Sequence, residues 1–316
     1  MKPTLVVLLV AALSPEAIAW GPLGHRVVAE TAALLVEDDL PATWGPLFAR
    51  HRFQLGVYAF LPDARFRQID GASGKVEEPT HYLNLDDPRG VAAREGSVDR
   101  RIVQFLELAR GELKNARAPK GGYQSGAAAQ GDARHVYLGL YDLGVMAHYS
   151  GDASMPYHAT WDYNGHSRGQ GGIHFYFEGD CVNTFEPKLA ADVLAAARKN
   201  RIRWLRAWRA DPKRPLQLVA AVLADSLAAV AKVSELDRLH AVTKLQAAGS
   251  KLDAQRRPAK LGCRAMRPLL VDRLARGAVL TATLWKSVLP GDVDFSGASA
   301  LQFSDMELDA DYVAPR

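Results

Sequence analysis

The chain has 316 residues, of which 48% are hydrophobic and 23% are charged, and its formal net charge is +4. This composition excludes a disordered or low-complexity chain and is typical of a globular protein that can bury a sizeable core. The mild basic excess suits an anionic substrate, but it is small and dispersed along the chain, so it identifies none.

The first nineteen residues have the pattern of a secretory signal peptide. Lys2 precedes an apolar stretch over residues 5–13, and the small residues Ala17 and Ala19 end the segment. We therefore predict cleavage before Trp20 and export to the periplasm or out of the cell. The apolar stretch is far shorter than the ~20 residues of a spanning helix. We expect a soluble product and no later transmembrane segment.

Apolar residues recur at helical spacing in six segments of the remaining chain. Alternating β-branched runs are scarce, so we predict an all-α fold, a single-domain helical bundle over residues 20–289. Loops are expected at 70–74 and 119–131, and an irregular surface tail at 290–316. The six segments are Val27–Val36, Ile102–Leu113, Val136–Ala147, Leu189–Trp208, Leu216–Val233 and Met266–Leu289.

The chain contains two cysteines, Cys181 and Cys263. In an oxidising compartment a single disulfide is favoured over a thiol nucleophile. The spacing of the two residues does not decide whether they pair.

Histidines and carboxylates occur at spacings that suit metal ligands. His148 and Asp152 lie four residues apart, so on a helix both side chains leave the same face and can bind one ion. His174 and Glu178 repeat this spacing after a Gly-Gly pair at 171–172, which permits a tight turn into a new helix. The sequence thus predicts two ligand pairs.

Three further residues extend this pattern. His158 follows Pro156, which would end the preceding helix, Asp63 follows a proline, and His81 begins a run that ends at Asp86. Taken alone, each is far more often a surface or core residue than a ligand. With His25 upstream, the clustering of five histidines and three carboxylates in a secreted chain favours a metal site.

Cleavage before Trp20 would create another ligand. A free α-amine has an unperturbed pKa near ~8, so it can lose its proton to a metal, and the carbonyl of the same residue completes a five-membered chelate. His25, one turn into the following helix, is placed to share that ion.

Together these residues resemble a superfamily, that of the bacterial zinc-dependent phospholipases C and the secreted single-strand-specific nucleases. Its members begin the mature chain with Trp and continue with a His, an Asp, a His, a His-x-x-x-Asp-x-x-x-x-x-His block and a final His-x-x-x-Asp or His-x-x-x-Glu. This chain has every member of the pattern in order, from Trp20 to Glu178.

The resemblance implies a trinuclear zinc site in a secreted phosphoric ester hydrolase. Zinc would lower the pKa of a bridging water and stabilise the leaving group, and Asp63 would orient or deprotonate the attacking water. The implied ligand sets are Asp63, His81, His148 and Asp152 for the first ion, His158, His174 and Glu178 for the second, and the Trp20 amine and carbonyl, His25 and bridging Asp152 for the third.

The resemblance leaves the substrate open between phospholipids and single-stranded nucleic acid. Glu178 and the Met-Pro-Tyr-His sequence at 155–158 favour the phospholipase branch, whereas Tyr82 could stack on a base and Asn84 could bond its edge. Phospholipase C-like hydrolysis of head-group phosphodiesters, with transient contact with a membrane surface, is the leading hypothesis. The alternatives are a single-strand-specific zinc nuclease and a secreted zinc- or lipid-binding protein without turnover.

Overall fold

The computed structural model describes residues 20–68, 75–114, 132–291 and 312–316. The predicted signal peptide, the predicted loops at 70–74 and 119–131 and most of the predicted tail lie outside the described residues. The predictions for those segments therefore stay predictions.

The fold is all-α, as the sequence predicts, and all six predicted segments form helices. A short antiparallel pair, β1 (Val242–Lys244) and β2 (Gln255–Arg256), projects from the helices. The helices are α1 (Gly21–Asp39), α2 (Gly45–Tyr58), α3 (Leu61–Ala64), α4 (Val98–Leu113), α5 (Asp132–Ser154), α6 (Ile173–Phe175), α7 (Cys181–Thr184), α8 (Glu186–Ala207), α9 (Pro215–Leu236), α10 (Ala259–Gly262) and α11 (Arg267–Lys286). Short 3₁₀ turns at Glu78–His81 and Pro156–His158 and π turns at Tyr176–Asp180 and Asp237–Ala241 connect or extend them.

Proline marks the start of several helices. It stands in the first turn of α1, α2, α3, α8, α9 and α11. The first turn tolerates proline because its N–H has no helical partner there and its fixed φ suits the helix.

Helix α2 is a helix that the periodicity analysis missed. Its inner face contains His51 among Leu47, Phe48 and Leu55, so the apolar pattern is interrupted. Gly56 lowers its helix propensity further. This glycine lies against α1, where a Cβ would be 2.6 Å from Arg26 Cγ.

Helix α5 forms the centre of the bundle and contacts α1, α2, α4, α9 and α11. Every residue from 139 to 160 is buried, including His148 and Asp152. Burying such groups costs free energy unless they are paired or bind a metal. The buried polar groups at the centre of the core therefore indicate a candidate functional site.

A disulfide joins Cys181 at the start of α7 to Cys263 beyond α10. The two cysteines are therefore paired, which their spacing in the sequence did not decide. The bond links residues 82 apart in sequence, a loop for which cross-linking stabilises the folded state by about 4 kcal/mol in the chain-entropy model.

The last five residues are tied to the helical domain although they lack regular secondary structure. The Tyr312 hydroxyl donates to Glu77 Oε2 at 3.1 Å, and Gln104 Nε2 donates to the Ala314 carbonyl at 2.7 Å. The Tyr312 ring packs edge-on against Phe66. This end of the chain thus lies close to the elements that carry Asp63 and His81.

One described helical stretch, Pro215–Ala241, is long and apolar enough to cross a membrane by length and composition alone. We did not expect a segment of this length and apolarity from the sequence. The exposed side of α9 is rich in small alanines, such as Ala220, Ala224 and Ala228, while Val222 and Leu223 pack in the core. Core helices of soluble proteins have the same properties, so length and composition do not establish a span.

Candidate metal centre

Helix α5 supplies the first pair of predicted ligands. Asp152 Oδ2 lies 3.3 Å from His148 Nε2 and 3.0 Å from His81 Nδ1, and these two nitrogens are 2.9 Å apart. Asp63 Oδ1 lies 3.8 Å from His148 Nε2 and 3.9 Å from His81 Nδ1. The four residues proposed for the first ion therefore converge on one point.

A second group forms where the chain turns into α6. His174 Nε2 lies 3.0 Å from His158 Nε2 and 3.0 Å from Glu178 Oε1, and Glu178 Oε2 lies 3.6 Å from His158 Nε2. Gly172 begins this helix with a φ of +82°, a conformation that favours glycine. The glycine pair thus makes the turn that the sequence predicts, and the three residues proposed for the second ion lie together.

The residues proposed for the third ion are only partly adjacent. His25 Nε2 lies 3.6 Å from Asp152 Oδ1, as expected, and also 3.9 Å from Asp63 Oδ2. The Trp20 nitrogen instead donates to Glu178 Oε2 at 3.2 Å, and the Trp20 carbonyl accepts from Gly24 N at 3.1 Å. This backbone nitrogen thus points to a carboxylate that the sequence predicts as a ligand of the second ion.

Three sets of donor atoms are each compact enough to hold an ion, and two of these sets share His148. Within each set all donor atoms lie within 4.8 Å of one another, and every member is buried. The sets are His25, Asp63 and His148; His81, His148 and Asp152; and His158, His174 and Glu178.

Hydrogen bonds outside the cluster fix two of the imidazole rings. His148 Nδ1 donates to the Ala59 carbonyl at 2.8 Å, and His158 Nδ1 donates to the His81 carbonyl at 2.7 Å. Because a carbonyl can only accept, each neutral ring presents the lone pair of its Nε2 to the cluster. Metal-binding histidines are held in this way.

The buried charges of the cluster suit a metal ion. Both oxygens of Asp63 and the Oδ1 of Asp152 are buried without a hydrogen-bond partner among the described residues. Burial raises the pKa of Asp63 to about 7 and that of Asp152 well above its usual range. Burial also lowers the pKa of His81 and His158 well below the usual range. A divalent cation favours charged carboxylates and neutral imidazoles, so these donors fit a metal.

Arg67 is a neighbour of the cluster that the sequence analysis missed. Its guanidinium lies 3.5 Å from Asp63 Oδ1, and its Nε lies 3.4 Å from His81 Nε2. It stands four residues after Asp63, a helical spacing that could have identified it.

Behind His81 and His148 lies a buried ion pair that the sequence analysis also missed. The carboxylate of Glu77 accepts from Arg101 at 2.9 and 3.1 Å and from the Tyr149 hydroxyl. Tyr149 follows His148 in the chain, and its ring packs against His81. The ion pair joins the turn that carries His81 to α4, and the Tyr149 hydroxyl joins Glu77 to the helix that carries His148.

Replacing Arg101 with Met should lower the free energy of unfolding by about 3–5 kcal/mol, because the buried Glu77 carboxylate would lose its cation. Urea unfolding of the metal-free chain measures this. The control is Arg100→Met, which removes an exposed arginine from the same helix and should change stability by less than about 0.5 kcal/mol. If the free energy of unfolding of the Arg101 variant falls by less than about 1 kcal/mol, the Glu77–Arg101 ion pair does not stabilise the fold around the site.

A cavity of 740 Å³ opens beside His81, His158 and His174. Tyr82 and Asn84, the predicted substrate-binding residues, both line it. Backbone bonds from Leu83 N to the His158 carbonyl and from Leu85 N to the Ala159 carbonyl hold this extended segment beside the metal ligands. Asn84 is only 9% exposed.

The cavity wall is aromatic and acidic. Tyr82, Trp161, Tyr163 and Phe175 provide rings, and burial followed by the nearby carboxylates Glu95 and Glu78 raises the pKa of Tyr82. The lining carboxylates away from the metal ligands are Glu78, Glu95, Asp180 and Asp253, and the lining arginines are Arg67 and Arg256. The wall therefore has an excess of negative charge.

Comparison with known proteins adds no relative: no protein-family model matches the sequence, and no curated protein matches it. The resemblance to the zinc phospholipases C and nucleases thus depends on the motif residues themselves.

Proposed function

We propose that the protein is a secreted zinc-dependent phosphodiesterase with phospholipase C-like action on the head-group phosphodiesters of phospholipids. The observation that carries the proposal is the convergence of eight buried histidines and carboxylates into three donor sets. They lie beside an open cavity that is large enough for a phosphodiester substrate.

The donor set suits zinc. It consists of imidazole nitrogens and carboxylate oxygens, a combination typical of catalytic zinc sites, and both cysteines are held in the disulfide. Bound zinc would supply Lewis acidity and an attacking water of lowered pKa. We propose three ions, with Trp20 joining the histidines and carboxylates.

Two residues beside His81 would handle the reacting groups. Neither oxygen of Asp63 has a hydrogen-bond partner among the described residues, so its carboxylate can accept a bond from an attacking water. Arg67 lines the cavity beside Asp63 and can pair with a phosphate oxygen of the substrate.

The charge of the cavity wall favours a phospholipid over a nucleic acid. Four carboxylates and two arginines line the cavity. Glu95 is bound to Arg89 and Arg256 to the buried Asp237, each at 2.8 Å, so an excess of negative charge remains. The additional phosphates of a nucleic acid would meet this negative wall, whereas a phospholipid presents a single phosphate to the metals.

A single-strand-specific nuclease is the second candidate. It is favoured by Tyr82 and Asn84, which line the cavity next to His81 and offer a stacking ring and an amide for a base edge.

The test uses the mature chain that begins at Trp20. We expect about three zinc ions per chain and release of phosphorylated head groups from a phospholipid mixture, which a chelator abolishes. Release of nucleotides from single-stranded DNA or RNA instead would establish the nuclease. Zinc binding without turnover of either substrate would identify a binding protein, and a chain that takes up no zinc would contradict the proposal.

A further inference from the structure

Positive charge is concentrated at the end of α8. Residues 198–214 contain eight Lys or Arg and one Asp, a formal charge of +7, whereas the whole chain carries +4. The basic residues are therefore not dispersed along the chain, as we expected from the net charge, but concentrated in this segment. The rest of the chain is therefore slightly acidic.

Some of these cations have structural partners. Arg198 pairs with Asp38 at 2.9 Å and Arg201 with Asp39 at 2.8 Å, which joins α8 to the end of α1. Apart from Arg214, the remaining exposed cations of this segment have no ion pair within the described part of the chain. They form what we call the basic surface: Lys199, Arg203, Arg206, Arg209 and Lys213.

Exposed aliphatic side chains lie among these cations. Ile202 is 56% exposed and sits between Lys199 and Arg206 at helical spacing, and Leu216, just beyond the basic run, is 48% exposed. The aromatic rings of this segment are turned inward, since Trp204 is 2% exposed. The surface thus offers cations and aliphatic groups but no exposed ring.

We propose that the basic surface binds the face of a bilayer that contains anionic phospholipids. Lys and Arg side chains are attracted to anionic head groups, and aliphatic side chains beside them can enter the interface. Single-stranded nucleic acid is bound on exposed stacking rings, which the described residues do not provide at this place. The combination of charge and exposed aliphatic groups therefore favours a membrane.

The basic surface lies far from the metal ligands. Arg198 and Arg201 pair with Asp38 and Asp39 at the end of α1, and the thirteen residues from His25 to Asp38 span about 20 Å along that helix. Docking would therefore hold the protein at a membrane without covering the cavity. It should not change the hydrolysis of a soluble phosphodiester.

Vesicle co-sedimentation of the mature chain tests the proposal, with a chelator present in parallel samples to stop any turnover. The chain should bind phosphatidylglycerol–phosphatidylcholine vesicles and lose binding as salt increases. The double variant Arg203→Gln/Arg206→Gln should bind roughly 25-fold more weakly, about fivefold for each cation. The matched control, Arg94→Gln/Arg100→Gln, removes two exposed arginines elsewhere and should change binding less than about twofold.

Three results would overturn the proposal: equal binding to pure phosphatidylcholine vesicles, equal losses in both double variants, or complete displacement by a single-stranded oligonucleotide at equal charge concentration. Because binding is read in the chelated sample, the result does not depend on phosphodiesterase activity. Failure of the membrane contact and failure of the proposed enzyme are thus distinguishable.

Discussion

The Asp152→Asn variant should lose metal and phosphodiesterase activity together, with kcat/KM lowered by roughly a thousandfold or more. Asp152 Oδ2 lies 3.0 Å from His81 Nδ1, and its Oδ1 lies 3.6 Å from His25 Nε2. The carboxylate thus lies between two donor sets, and an amide cannot supply the negative charge that a bridging ligand needs. We expect zinc content to fall by more than one ion per chain, as measured by elemental analysis beside the rate.

The folded state itself should tolerate this change when the metal is absent. Burial raises the pKa of Asp152 well above its usual range, so the ionised carboxylate destabilises the metal-free fold above the unfolded pKa. Asparagine removes that cost. In the presence of a chelator the variant should therefore unfold at the same or a higher urea concentration than the native chain.

Asp142→Asn is the matched control on the same helix. Burial, followed by the charge of Glu112, raises the pKa of Asp142 to about 8, so its carboxyl is largely protonated at neutral pH and asparagine resembles it. Asp142 belongs to none of the donor sets, so this variant should keep its zinc and its rate. Full metal content and rate in Asp152→Asn would contradict the proposed bridge.

Local spacing explains why much of the fold and part of the site could be predicted. The pairs His148 with Asp152 and His174 with Glu178 depend only on a helix turn, and both form as expected. Helical periodicity is equally local, and it identified the buried segment around Val136. Helix α2 was missed because its inner face carries His51 among the apolar residues.

Contacts between distant segments explain the rest. The approach of His25 to Asp63 joins the first and third helices, and the pairing of Glu77 with Arg101 joins residues 24 apart. No periodicity in the sequence encodes either distance. The direction of the Trp20 backbone nitrogen towards Glu178 likewise depends on how α1 packs beside the π turn that carries Glu178.

One extra residue before Trp20 should reduce zinc content by about one ion per chain and lower the rate by roughly a hundredfold or more. Trp20 is fully buried, its indole N–H donates to the Gly151 carbonyl at 2.8 Å, and its backbone nitrogen lies 3.2 Å from Glu178 Oε2. A free amine at this position can give a lone pair to a metal, whereas an amide nitrogen cannot.

Two further forms of the chain distinguish the loss of the free amine from the steric effect of an added residue. Acetylation of the Trp20 amine should reproduce the loss, because it removes the lone pair and the charge. An extra residue after Arg316, which is exposed, should change neither zinc content nor rate. If the chain extended before Trp20 keeps its full zinc and rate, the amine is not a ligand and the third ion has no basis. If it loses them, cleavage of the signal peptide itself completes the metal site, and the precursor is inactive until it is processed.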